Sequence, residues 1–167
     1  MNPDGFEKAK EDDCNGENFQ SGRRNQNDVD LNRNFPDQFD EKIINHETTL
    51  YEGREPETIA VMTWIVSNPF VLSANLHGGS LVASYPFDDS PNHQITGHES
   101  PSPDNSLFVH LAKTYAFRHK TMHLNGFTCT GDSFDDGITN GADWYDVPGI
   151  IDCGIKINYL FNNFVII

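Results

Sequence analysis

Phe70-Val71-Leu72-Ser73-Ala74-Asn75-Leu76-His77-Gly78-Gly79 is the stretch on which the reading of the fold turns. Its first seven residues are mostly apolar, too short for an ordinary helix, and bounded by Pro69 and Gly78. That pattern predicts a buried strand whose C-terminal end opens into a glycine loop. Upstream, Glu55-Pro56-Glu57 puts proline in a first helical turn beside acids that complement the helix dipole. Ile59, Met62, Ile65 and Val66 then recur on one face until Asn68-Pro69 stops the run. Downstream, residues 81–85 read as a second strand ended by Pro86, and residues 88–103 as a loop. Ser102-Pro103-Asp104 opens a further helix that runs to about Arg118, with Leu107, Phe108, Leu111, Ala112 and Tyr115 as its inner face. Helix, strand, strand, helix with loops at the strand ends is an α/β arrangement.

Residues 1–40 are polar and turn-rich, 40–54 read as an acidic surface loop, and 119–149 as irregular chain. Residues 150–167 are rich in Ile, Phe and Asn and suit a strand pair, a core segment or a foreign end. The 167 residues carry 11 Lys and Arg against 25 Asp and Glu, a net charge of −14. So acidic a chain is a poor partner for nucleic acid or an anionic membrane, and a cationic ligand fits better. No apolar run has the ~20 residues a membrane span needs, and Met1-Asn2-Pro3-Asp4-Gly5 does not open a signal peptide. Cys14, Cys129 and Cys153 are far apart and form no zinc knot; one disulfide or three free thiols are both open.

The densest polar segment is Gly22-Arg23-Arg24-Asn25-Gln26-Asn27-Asp28-Val29-Asp30-Leu31-Asn32-Arg33-Asn34-Phe35-Pro36. Guanidinium forks bind carboxylates in a bidentate way, and an amide can hold a second oxygen, so the segment suits an anion. A solvated charged loop is the plain alternative. His77 is a lone histidine beside Gly78 and Gly79, at the strand end where sites in open α/β sheets gather. Asp88-Asp89 after Tyr85-Pro86-Phe87 is either a buried acid that selects a basic group or a turn, and local sequence favours the turn. Tyr145 in Trp144-Tyr145-Asp146 is a lid or simple packing. His119 and His123 stand four apart, but at a fraying helix end rather than as metal ligands.

Taken in order, these runs resemble the zinc metallocarboxypeptidases of the carboxypeptidase N/E subfamily of peptidase family M14. The resemblance rests on Met1-Asn2-Pro3-Asp4-Gly5-Phe6-Glu7, on Gly22-Arg23 with Asp30-Leu31-Asn32-Arg33-Asn34-Phe35-Pro36-Asp37, and on Glu55-Pro56-Glu57-Thr58. It continues through Ser73-Ala74-Asn75-Leu76-His77-Gly78-Gly79 to Tyr85-Pro86-Phe87-Asp88, then Gly137-Ile138-Thr139-Asn140-Gly141 and Trp144-Tyr145. The resemblance implies a mixed sheet with helices on both faces, and release of C-terminal Arg or Lys from peptides and proteins outside the cell or in the secretory pathway. It implies that His77 is a zinc ligand and that Asn32 and Arg33 bind the substrate's terminal carboxylate. Arg23 would polarise the scissile carbonyl, Tyr145 close over the bound terminus, Asp88 pair with the basic side chain, and Asp30 orient a zinc histidine.

The likeness covers residues 1–149 and is lost over 150–167, so the expected organisation is a partial catalytic domain, truncated at both ends, with a divergent tail. No histidine here has glutamate three residues on, so the family's His-x-x-Glu zinc motif is missing, and one zinc ligand of three is present. The last glutamate is Glu99, too early to serve as the family's general base. The expectation is therefore an incomplete and inactive metallocarboxypeptidase. The alternatives are a non-catalytic module that binds peptide C-termini and a non-functional fragment.

Overall fold

The computed structural model describes residues 23–45, 49–68, 70–91, 93, 97–124, 132–149 and 163–166. Residues 1–22, which include the first matched run and Cys14, lie outside this set, as do Cys129 and Cys153.

A 3-10 turn over Leu31–Arg33 leads to a short helix, α1, at Glu41–Ile44, within what the sequence presents as a loop. Helix α2 spans Pro56–Ser67, with Pro56 in the first turn and Asn68 as C-cap, as the sequence predicts. Its buried face is Thr58, Met62 and Ile65; Val66, expected beside them, is exposed. Strand β1 is Ser73–Leu76 and β2 is Ala83–Tyr85. Helix α3 spans Asn105–Arg118. The expected irregular region contains a 3-10 turn at Asp135–Gly137, strand β3 at Ile138–Asn140 and a short helix, α4, at Gly141–Trp144. Strand β4, Asn163–Ile166, comes from the tail.

The sheet order is β1-β4-β2-β3. β4 runs parallel to β1, with Ser73 opposite Asn163, and antiparallel to β2, while β2 and β3 are parallel with Ala83 opposite Ile138. An α/β arrangement is what the residues predict, and a mixed sheet is what the resemblance implies. The placement of β1 corrects one expectation. The apolar run predicts a buried strand, yet Val71 is 95% and Leu76 80% exposed. β1 is an outer strand, hydrogen-bonded to a neighbour on one edge, and an outer strand has fewer elements to cover its faces. β2 is the buried strand, with Ala83, Ser84 and Tyr85 all inside.

The core joins Ala83 and Tyr85 of β2 to Phe108, Ala112 and Ala116 of α3 and to Met122. The inner face of α3 is thus the row 108, 112, 116, spaced four apart, and Leu107 and Tyr115, expected there, are exposed. Two alanines in that row let the helix approach the sheet closely, which turns Leu107 and Tyr115 onto the flanks. Beyond α3, the Nδ1 of His119 accepts from the backbone N–H of Thr121 and Met122, and His123 stacks on Phe117. Both histidines serve the helix end. None of the described helices is long and apolar enough to cross a membrane.

Candidate substrate-binding site

Asp30 organises the polar turn. One carboxylate oxygen accepts from the backbone N–H of Asn32 at 3.1 Å and caps the turn. The other accepts from Nε of Arg23 at 2.7 Å, in a pair mostly shielded from solvent. Arg23 is thereby fixed beside the turn that carries Asn32 and Arg33. Arg33 donates from Nη1 to the Asn32 carbonyl at 2.7 Å. Other members of the segment serve the chain itself. Asn25 and Asn27 both donate to a carboxylate oxygen of Glu55, at 2.7 and 2.6 Å, and the side chain of Asn34 accepts from the Glu55 N–H at 2.7 Å. Glu55 is the N-cap of α2, so these amides dock the segment on that helix start. The amides of Asn25, Asn27 and Asn34 are thereby engaged within the chain.

Asp88 lies three residues beyond β2 and is 8% exposed. Its carboxylate faces the Ser84 hydroxyl at 3.5 Å and packs on Gly141 so closely that a Cβ there would collide with it. The local reading of Asp88-Asp89 as an open turn is corrected, for Asp89 is wholly buried. Chain distant in sequence meets the strand end here. The Phe87 N–H bonds to the Ser100 carbonyl at 2.8 Å, and the buried side chain of Asn140 bonds to Ser100 N–H at 2.9 Å and to the Tyr85 carbonyl at 3.3 Å. These bonds tie Ser100 and Asn140 to the end of β2, just ahead of the two acids.

The segment 141–149, which carries Tyr145, links the two clusters. At one end the Ala142 N–H donates to the Phe87 carbonyl at 2.9 Å and the Val147 N–H to the Asp88 carbonyl at 2.8 Å. At the other end the Phe35 N–H donates to the Gly149 carbonyl at 3.0 Å. Gly149 has φ +74°, and a Cβ there would stand 2.7 Å from the Arg33 carbonyl oxygen. Glycine is required on both counts. Tyr145 itself is 42% exposed, its ring edge-on to Trp144.

Asp89 is a residue that the sequence does not single out for function. One of its oxygens accepts from the Ser90 N–H and meets Nδ1 of His93, both at 2.8 Å; His93 Nε2 lies 3.5 Å from Asp37. Burial first, then the carboxyls of Asp146 and Asp37, push the Asp89 carboxyl up to about 8. His93 is raised in turn, chiefly by its hydrogen bond to Asp89. The Ser90 hydroxyl donates to Asp146. The sequence offers only the four-residue spacing of Asp89 and His93 as a clue.

His77 follows directly on β1 and is exposed, with Nδ1 on the Gly78 carbonyl. Among the described residues, no hydrogen bond or ion pair links it to Arg23, Asn32, Arg33, Asp88 or Tyr145.

Residues 1–164 match the zinc carboxypeptidase family, peptidase M14. The chain belongs to that family. It is 52% identical over 170 residues to carboxypeptidase D of Homo sapiens, across 98% of this chain and 12% of the relative. It is 45% identical over 163 residues to carboxypeptidase D of Drosophila melanogaster, across 98% of this chain and 11% of the relative. It is 47% identical over 179 residues to the carboxypeptidase N catalytic chain of Mus musculus, across 98% and 38% respectively. The chain thus spans about an eighth of the first of these relatives and under two-fifths of the last.

A zinc carboxypeptidase implies zinc, and His77 suits a ligand in one respect. With Nδ1 donating to a carbonyl, Nε2 keeps its lone pair for a metal. A zinc centre takes three or four such donors. Among the described residues His77 belongs to no group of three His, Cys, Asp or Glu side chains, and the group that exists is Asp37, Asp89 and His93. The described residues around His77 therefore do not by themselves make the family's metal centre.

Proposed function

We propose that this chain carries the substrate-recognition part of a metallocarboxypeptidase that removes C-terminal Arg or Lys from peptides and proteins, in the secretory pathway or outside the cell. The observation that carries the reading is the double attachment of segment 141–149, to the turn bearing Asp88 at one end and to the turn bearing Asn32 and Arg33 at the other. A ligand that carries both a carboxylate and a cation suits that pairing of turns. In this reading Arg33 and Asn32 hold the terminal carboxylate, and Arg23, fixed by Asp30, polarises the scissile carbonyl. Donors aimed at a developing oxyanion lower such barriers by about 3 kcal/mol each. Asp88 receives the basic side chain in a charge-assisted pair that an apolar residue cannot form. Tyr145 folds over the bound terminus from its exposed position.

His77 supplies one metal donor, no His-x-x-Glu is present, and no glutamate follows Glu99. The purified 167-residue chain is accordingly expected to release no C-terminal Arg in the presence of zinc, since loss of coupled catalytic groups costs many orders of magnitude in rate. Zinc-dependent release above background would refute this. That same solitary His77 favours a second reading, a module that binds peptide C-termini without cleaving them.

The selectivity test is Asp88→Asn in an active enzyme that carries this domain. kcat/KM for substrates ending in Arg should fall by roughly 10²–10³, equivalent to ~3–4 kcal/mol, as for truncating one partner of a desolvated charge pair. A loss of less than about threefold would remove Asp88 from the pocket.

A further inference from the structure

Asp37, Asp89 and His93 stand apart from His77, and nothing in the proposed recognition of a C-terminal residue uses them. One carboxylate oxygen from each acid and one ring nitrogen of His93 lie within 4.8 Å of one another. The three come from different places: the chain after the 3-10 turn, the turn after β2, and the loop beyond it. Asp89 is fully buried, and its second oxygen accepts no hydrogen bond. That oxygen is not compensated by a base either. Among the described residues neither Asp37 nor Asp89 is paired to Lys or Arg, and the ion-pair partner of both is the half-exposed His93. Asp37 nonetheless brings a carboxylate oxygen within 4.8 Å of one of Asp89. His93 stands between the two carboxylates, but the second oxygen of Asp89 still has no donor unless a proton or a cation sits there.

We propose that Asp37, Asp89 and His93 form a site for a divalent transition-metal cation, of which Zn²⁺ is the best match, separate from the metal position at His77. The donor chemistry selects the ion. Two carboxylates with an imidazole suit Zn²⁺ or Mn²⁺, whereas Ca²⁺ and Mg²⁺ prefer oxygen alone. Ligands at about 2.1 Å from a tetrahedral zinc stand roughly 3.4 Å apart, and donor atoms all within 4.8 Å of one another reach that spacing with a small shift. His93 is 48% exposed and Asp37 16%, which leaves the histidine free to make that shift and a way in for the ion. The remaining coordination positions fall to water. The ion's place in the architecture gives it a consequence. Ser90 already joins Asp89's turn to Asp146, and the Asp88 carbonyl holds Val147. A cation on Asp89 would therefore lock the turn that carries Asp88 and the segment that carries Tyr145 onto the chain around Asp37.

The test is Zn²⁺ binding to the full 167-residue chain, stripped with chelator and titrated calorimetrically, with Ca²⁺ and Mg²⁺ as comparators. The expected result is saturable Zn²⁺ binding at least about tenfold tighter than either comparator, unchanged in His77→Ala and weakened at least about tenfold in both His93→Ala and Asp37→Asn. The half-exposed His93 makes its variant the safer one to fold. Absence of binding up to millimolar Zn²⁺ would overturn the proposal and leave a shared proton as what holds the acids together. Binding that survives both variants would overturn it as well, by assigning the ion to a cysteine or another histidine, and so would binding lost in His77→Ala. These outcomes do not depend on whether the chain recognises peptide C-termini.

Discussion

Asp88 and Asp89 are neighbours of the same chemical type, and their surroundings separate them. Asp88 rests on Gly141 beside the Ser84 hydroxyl; Asp89 points among Asp37, Asp146 and His93. A single added methyl tests the first contact. In Gly141→Ala the new Cβ collides with the Asp88 carboxylate and with its Cα, so one of the two must move. Overpacking of this kind typically costs about 1–3 kcal/mol. Thermal or denaturant unfolding should show a loss in that range, and in an active enzyme the preference for basic termini should fall along with it. An unchanged midpoint would mean that Asp88 does not lie against Gly141. Arg23, Asn32, Arg33 and Asp88 are candidates because each sits in a short run whose order resembles that of the family. The burial of Asp89 was not legible. Its surroundings include Asp37 and, through Ser90, Asp146, which come from elsewhere in the chain, and local sequence sees only two acids after a proline turn.

Elements were easier to read than their faces. Pro56 and Asn68 bound α2 where a first-turn proline and a stop before Pro69 predict. For α3 the sequence holds two apolar rows, 107, 111, 115 and 108, 112, 116, and periodicity alone gives them equal claim. The small side chains of Ala112 and Ala116 settle it, because the row that lets the helix come nearest the sheet is the one that buries. Two substitutions separate the rows. Phe108→Ala should cost about 3–5 kcal/mol, the usual loss for a fully buried aromatic, whereas Leu107→Ala, on an exposed position, should stay within about 1 kcal/mol. Similar costs for both, measured by chemical denaturation with unchanged slope, would contradict burial of the 108, 112, 116 row. β1 escaped for another reason. An apolar run says that a strand forms, but whether it is covered depends on how many elements flank it, and β1 lies at the outer end of the sheet.

For the whole molecule, a net charge of −14 draws basic peptides toward the chain, but that pull is long-range and weakened by salt. It acts on any cation and takes no account of where a peptide ends. Recognition of a terminus is a narrower property, in which one site reads a free carboxylate and a basic side chain together. One comparison separates the two. The purified chain is titrated with a short peptide ending in Arg with a free carboxylate, with the same peptide amidated, and with a version ending in Leu, at low and at high salt. Amidation makes the peptide more positive, so diffuse attraction favours the amide, whereas recognition by Arg33 and Asn32 favours the acid. A site that reads both groups should bind the Arg acid at least about tenfold tighter than either of the others, with a ratio that persists at high salt. Amide binding equal to or tighter than acid, fading as salt rises, would contradict it.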